Sequence, residues 1–422
     1  MLLYNLFLLI YRIGLRIAAL FNQKASDFLE GRKQQTCLWE EIFANHSHRV
    51  VWFHCASLGE FEQGRPVIEA FRKAYPNHKV LLTFFSPSGY HIRKDYEQAD
   101  WVLYLPLDSP QQARRLVNLV RPELVLFVKY EFWYYYLREL SRQNVPVLLF
   151  AAIFRPSQLF FKPYGGFYRQ MLHFFREIHV QDDTSQQLLQ SIHINHVTVS
   201  GDTRIDRVAQ IADAAAPVSI AAHFAYESKV VVIGSLWPDD WDVISKDVQQ
   251  LITRCKFIIA PHEISESFLQ DIEKVFGQGG AVRYSALLQT GAEGLHHTRA
   301  LLIDNVGLLN RLYIYGTVAY VGGGFKDGLH NILEPAAFGV PVVFGNRKYR
   351  QFREANELLA QGGAFTIAGT GELAAIISKW LNDADAYQKA SATCEAYVKR
   401  NAGATQKVMA SIQACLNHSL QP

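Results

Sequence analysis

The sequence predicts an α/β protein with two doubly wound domains in tandem behind an apolar N-terminal helix. Three observations carry this. Fourteen short apolar runs recur along the 422 residues, most of them continuous rather than alternating. Strands of a parallel sheet, buried on both faces, read this way. The runs are spaced by roughly 20–30 residues, which leaves room for one crossover helix each time. An Ala-rich segment with Pro217 divides them into two sets of seven.

Composition narrows the class. Hydrophobic residues reach 49% and charged residues only 19%, which excludes a disordered chain. With 42 Lys+Arg against 39 Asp+Glu the net charge is +3, too small to make nucleic acid the main partner. The five cysteines form no C-x-x-C pair, so they indicate neither a zinc site nor a disulfide framework. No metal site is indicated: the D-x-D spacings at 239–242 and 383–386 read as a helix N-terminal acidic cluster and a solvated turn.

The chain opens with LLYNLFLLIYRIGLRIAALF (2–21), in which only Asn5, Arg12, Gly14 and Arg16 are not apolar. Asn5, Arg12 and Arg16 share one helical stripe. A full span needs about 20 mainly apolar residues, and here the charge-free stretch ends at Tyr11. A helix lying in the membrane interface fits better than a spanning one. The basic residues that follow place the body of the protein on the cytoplasmic side. The competing reading is a core helix of a soluble protein.

The first set of runs is RVVWFH (49–54), KVLLTF (79–84), WVLYL (101–105), ELVLFV (123–128), PVLLF (146–150), EIHVQ (177–181) and HVTVS (196–200). The second is KVVVIG (229–234), KFIIA (256–260), AVRY (281–284), ALLID (300–304), VAYVGG (318–323), PVVFG (341–345) and AFTIA (364–368). The resulting organisation is an anchor helix (1–23), a first α/β domain (24–206), a connector (207–227) and a second α/β domain with closing helices (228–422). Two such domains set a cleft at the carboxyl ends of their strands, where ligands bind.

The chemistry-bearing motifs lie in loops after strands. Gly59 makes a tight turn after RVVWFH, and Glu60 follows on the first helical turn. A carboxylate there can act as a general base, kept ionised by the helix N-terminus; the bland alternative is an ordinary first-turn Glu. In the second domain VGGGFKDGLHNILEPAAFGVP (321–341) sets Gly322, Gly323 and Gly324 ahead of a short helix. Such a turn offers backbone N–H groups to a phosphate, or else serves close backbone packing. Gly234-Ser235, Pro261-His262-Glu263 and Asp304 to Gly307 are weak alone, but together they suit a nucleotide. A basic-aromatic stretch, 154–177, interleaves Arg155, Lys162, Arg169, His173 and Arg176 with Phe and Tyr. It suits an anionic lipid surface, or else packs as an amphipathic helix.

The combination of ASLGE (56–60), Pro87-Ser88-Gly89, the E-x-W at Glu131 to Trp133, GDTRID (201–206) and HNILEPAAFGVP (330–341) resembles the Kdo transferases over nearly the whole chain. These enzymes move 3-deoxy-D-manno-octulosonic acid (Kdo) from CMP-Kdo onto a lipid A precursor, lipid IVA. The resemblance implies a GT-B fold, an active site on the cytoplasmic face of the inner membrane, and no cofactor, CMP-Kdo being the donor substrate. It assigns Glu60 as the base and Arg204 to charge stabilisation. It assigns CMP contacts to Pro261 and His262, to Val306, Gly307 and Leu308, and to Asn331, Ile332, Leu333 and Glu334.

Three positions depart from the family pattern. Lys129 stands where the family usually has Glu, and Glu131 is the carboxylate that can replace it. PHEISE (261–266) lacks the Arg after Pro261, so His262 or Arg254 would meet the phosphate. Leu308 replaces a Glu, leaving backbone contact alone. Two further readings fit the same residues: a GT-B enzyme using a UDP-sugar, and a non-catalytic membrane-surface protein on this scaffold.

Overall fold

A computed structural model of the chain describes residues 1–291, 295, 297–326 and 328–418. The chain divides into two units, Met1–Asp206 with Ala402–Pro422, and Arg207–Asn401.

The first unit is built on a parallel seven-stranded sheet of order β3-β2-β1-β4-β5-β6-β7. Its strands are β1 (Val50–Cys55), β2 (Lys79–Phe84), β3 (Trp101–Tyr104), β4 (Leu124–Val128), β5 (Val147–Ala152), β6 (Glu177–Val180) and β7 (Val197–Val199). β1, β4 and β5 are buried at every position, which is why their sequences carry no alternation. The chain runs outward from β1 to β3, then returns to β4 on the other side of β1. The strand order therefore reverses between β1 and β4, and the loops after these two strands flank that switch point.

The second unit repeats the plan, with order β10-β11-β9-β8-β12-β13-β14. Its strands are β8 (Val230–Leu236), β9 (Lys256–Pro261), β10 (Ala281–Arg283), β11 (Ala300–Leu302), β12 (Val318–Val321), β13 (Val342–Gly345) and β14 (Ala364–Ile367). Here the reversal lies between β8 and β12.

Two helices open the chain, α1 (Leu2–Ala18) and α2 (Gln23–Phe43). α1 packs on the first unit through its polar stripe. Tyr4 donates to Asp108 Oδ2 at 2.6 Å, Arg12 donates to the Asp108 carbonyl at 3.2 Å, and the Tyr135 hydroxyl bonds Asn5. Its other face is exposed, including Leu6, Phe7, Leu9, Ile10, Ile13 and Ile17. Among the described residues no single helix is long and apolar enough to cross a membrane, and α1 and α2 meet at a bend of 115°.

The final helix, Ala404–His418, differs from the sequence expectation, which grouped the closing helices with the second domain. It packs against the first unit instead. Val408, Ile412, Cys415 and Leu416 join the apolar cluster of β1, β2, β4 and β5. Asp206 holds its start, accepting from the Gly403 and Thr405 amides at 2.5 and 2.6 Å. One amphipathic helix suits either core by composition, and this cap selects the first.

Candidate active site

In the first unit the loops after β1, β2 and β4 converge. β1 ends at Cys55, and α3 (Leu58–Ala74) begins three residues later. Gly64 lets α3 lie close to the sheet: a Cβ there would sit 3.2 Å from Val128 and 3.3 Å from Cys55. Glu60 stands in the first turn of α3. Ser57, at the N-cap position, turns its hydroxyl to Glu60 Oε2 instead of to a backbone amide. The carboxylate is thereby oriented by its own loop. Gly89 of the P-S-G turn packs under this loop, where a Cβ would meet Phe84 at 2.5 Å and the Leu58 amide nitrogen at 3.1 Å.

Lys129 directly follows β4 in a left-handed conformation (φ +70°), which costs a lysine roughly 1–2 kcal/mol. Such strain collects at functional sites. Burial pushes the Lys129 ammonium below its ordinary value; Glu60 opposes that shift, Arg204 adds to it, and Asp202 and Arg155 act more weakly. These five charged groups form one electrostatic cluster. Arg204 is fixed by Asp202, with Nε and Nη2 at 2.9 and 2.6 Å from Oδ2. Thr203 donates to the Gln63 carbonyl at 2.6 Å and so ties GDTRID to α3.

Glu131 is buried, with its own partners. Oε2 lies 2.9 Å from His54 Nε2 and accepts from Trp133 Nε1 at 2.6 Å. His54 Nδ1 lies 2.8 Å from Thr83 Oγ1, which also accepts from Trp52 Nε1 at 2.7 Å. A chain of bonds thus runs from Trp52 through Thr83 and His54 to Glu131, two residues after Lys129. Sequence reasoning missed His54; a histidine at the end of an otherwise apolar strand was its only signal.

An apolar groove of 510 Å³ adjoins this cluster, lined by Leu3, Tyr4 and Phe7 of α1 and by Tyr130, Trp133, Leu159 and Phe160 among others. It borders the basic-aromatic stretch. Phe154, Phe160 and Phe175 of that stretch are buried in the core, while Arg155, His173 and Arg176 are exposed. Arg169 is spent internally on the Phe160 and Lys162 carbonyls, both at 3.0 Å.

The second unit gathers the other predicted residues. His262, just after β9, stacks against both Trp237 and His330, with ring centroids 4.4 Å from each. Trp237 Nε1 donates to His330 Nε2 at 2.9 Å, which leaves the His330 ring proton on Nδ1. Asn331 follows; its Oδ1 accepts from the Leu333 amide at 3.1 Å and its Nδ2 donates to Glu334 Oε1 at 3.2 Å. Ile332 and Leu333 are buried. Pro261 is buried as the last residue of β9. Val306 is 93% exposed, beside Gly307 with φ +89° and Leu308 at the start of a short helix.

The glycine-rich loop resolves toward packing. The Gly322 amide bonds the Gly234 carbonyl at 2.9 Å, and the Gly323 amide bonds Asp240 Oδ2 at 2.8 Å. Two of the three amides expected to face a phosphate are therefore occupied. Gly323 has φ +86°, and a Cβ would lie 2.2 Å from the Gly328 carbonyl oxygen. Arg254 does not stand in for the missing arginine, since its guanidinium bonds Ser378 and Asn382.

Two parallel units of this kind, each with polar residues at its switch point, define the GT-B fold, which glycosyltransferases share with sugar-nucleotide epimerases. The fold matches UDP-GlcNAc 2-epimerase from Neisseria meningitidis bound to UDP-GlcNAc, with TM-score 0.61 and 16% identity over 87% of this chain and 100% of that one. It also matches a glycosyltransferase from Rickettsia africae, with TM-score 0.55 and 12% identity over 88% and 99%. Residues 31–207 match the family model described as 3-deoxy-D-manno-octulosonic-acid transferase. Proteins named 3-deoxy-D-manno-octulosonic acid transferase are 26% identical in Chlamydia pneumoniae, over 83% of this chain and 80% of that one, and 24% identical in Aquifex aeolicus, over 79% and 86%. Residues 31–207 thus carry the Kdo transferase family's domain, and the chain is similar over most of its length to glycosyltransferases of that name.

Proposed function

We propose that this enzyme transfers Kdo from CMP-Kdo to the lipid A precursor lipid IVA, on the cytoplasmic face of the inner membrane, by direct displacement. The observation that carries the reading is Glu60, held by Ser57 on the first turn of α3 within the Lys129–Arg204 charge cluster. Glu60 takes the proton of the acceptor hydroxyl as its oxygen bonds the anomeric carbon of Kdo. The bond from that carbon to the phosphate breaks, and CMP leaves. Arg204 and Lys129 offset negative charge as it develops. Glu131 positions this machinery through His54 and Trp133.

The second unit carries the donor. His262 meets the phosphate, Val306, Gly307 and Leu308 offer backbone contacts, and Asn331 to Glu334 meet the nucleoside, with Glu334 accepting from ribose hydroxyls. The apolar groove beside Tyr130 takes acyl chains of the acceptor. The exposed apolar face of α1 supports a helix lying in the interface. The decisive experiment incubates the enzyme with CMP-Kdo and lipid IVA. CMP release that depends on lipid IVA, with a lipid product heavier by Kdo, is expected. Lipid-independent release, or use of a UDP-sugar instead, would overturn the reading.

A further inference from the structure

A second cavity, of 330 Å³, lies in the first unit between α1, α2 and the helix Pro110–Val120. Four arginines line it: Arg12, Arg16, Arg32 and Arg115. Opposite charge is sparse. Glu40 pairs with Arg115 at 2.8 Å. Arg16 is exposed, and its side chain makes no hydrogen bond or ion pair among the described residues.

Arg32 is the unusual member. Its guanidinium donates to the carbonyls of Leu105, Phe28 and Phe85 at 2.9, 3.0 and 2.6 Å and stacks on the Phe28 ring at 3.6 Å. No carboxylate pairs with it among the described residues, and burial pulls its pKa down to about 10. A cation held out of water without an anion is costly, and a bound anion offsets that cost. The helix Pro110–Val120 presents its N-terminus to the same cavity through Ser109, Gln111 and Gln112.

We propose that this cavity binds the phosphate group of a membrane lipid. Guanidinium forks suit phosphate oxygens, and several can share one group. The volume lies at the small end of ligand cavities, enough for a headgroup phosphate. The lipid source follows from α1. Arg12 and Arg16 reach the cavity from the same helix whose outward face exposes Leu9, Ile10, Ile13 and Ile17. With that face in the bilayer, the cavity lies at headgroup depth. The inference rests on the interfacial reading of α1 and is independent of the donor sugar.

The test is flotation of the full chain with vesicles of phosphatidylcholine, with and without phosphatidylglycerol. Arg16→Gln with Arg115→Gln is compared with the charge-matched Arg114→Gln with Lys33→Gln, both exposed positions outside the cavity. Wild type should prefer the anionic vesicles. The cavity pair should lose about fivefold in that affinity for each arginine, and the control pair much less. Should the cavity pair lower the melting temperature, Arg16→Gln alone carries the test, because Arg16 makes no bond to lose. Equal losses in both pairs would mean diffuse surface charge and overturn the site. Saturation by inorganic phosphate alone, with vesicle binding untouched by the cavity pair, would make free phosphate the occupant and overturn the lipid. Equal binding of wild type and the cavity pair to both vesicles would overturn the site and leave the interfacial helix standing. No binding of wild type to either vesicle would overturn both.

Discussion

His54 Nε2 lies 2.9 Å from Glu131 Oε2, and the same oxygen accepts from Trp133 Nε1 at 2.6 Å. A buried donor and a half-buried one thus converge on one carboxylate atom. Truncation by Glu131→Ala leaves both unpaired, at about 1–3 kcal/mol each. Glu131→Gln keeps an oxygen that both donors can reach. Denaturant unfolding should show a loss of about 2–6 kcal/mol for Ala and a much smaller loss for Gln. The Gln variant should retain turnover within several-fold of wild type, as expected of a positioning residue. A collapse of turnover in a fully stable Gln variant would move Glu131 into the chemistry itself.

Glu60 and Ser57 separate a base from its orienter. Glu60→Ala should lower turnover by about 10²–10⁴-fold while CMP-Kdo still binds. Ser57→Ala removes one hydrogen bond to the carboxylate and should cost about tenfold, equivalent to ~1.4 kcal/mol. Single-turnover rates and donor affinity measured together check both. Weakened donor binding in either variant would contradict their placement on the acceptor side.

Lys129 makes the rate depend on pH from the alkaline side. Burial lowers its pKa, so its ammonium is lost at a lower pH than that of an ordinary lysine, near 10.4. If that charge assists transfer, kcat/KM falls as pH rises through the lowered value. Lys129→Arg keeps the charge throughout and should remove this limb. Lys129→Met should be slow at every pH. An unchanged alkaline limb in the Arg variant would assign it to another group.

Much of the architecture is legible in the sequence, because strands buried on both faces must be continuous apolar runs. All fourteen runs become strands, with ends displaced by at most two residues. Glu60, Lys129 and His262 follow strands for the same reason that such loops hold ligands. Long-range pairing was not legible. His54 and Glu131 are 77 positions apart, and the Asp240 carboxylate that occupies the Gly323 amide is 83 positions away. A glycine-rich turn reads alike whether its amides face a ligand or a buried side chain. The seat of the last helix depended on Asp206, nearly 200 positions before it.

The seat of α1 should respond to pH through Asp108. This carboxyl is 1% exposed and accepts from Tyr4, Tyr135 and Tyr136. Burial dominates these bonds and pushes its pKa up to about 6. An unfolded chain titrates this group near 3.9. Between the two values the folded state holds a proton that the unfolded state has lost, so stability falls as pH rises through that window. The contribution is fully present below about pH 4 and gone by about pH 7. It reaches up to about 3 kcal/mol at 1.36 kcal/mol per pKa unit. Asp108→Asn keeps one acceptor oxygen, enough for Tyr4 and Tyr135, gives up the Tyr136 bond at every pH, and removes the titration. The stability of wild type relative to Asp108→Asn should therefore rise between about pH 7.5 and about pH 5. A difference that stays flat across that range, measured by denaturant unfolding, would show that the carboxyl is ionised throughout and that burial does not govern it.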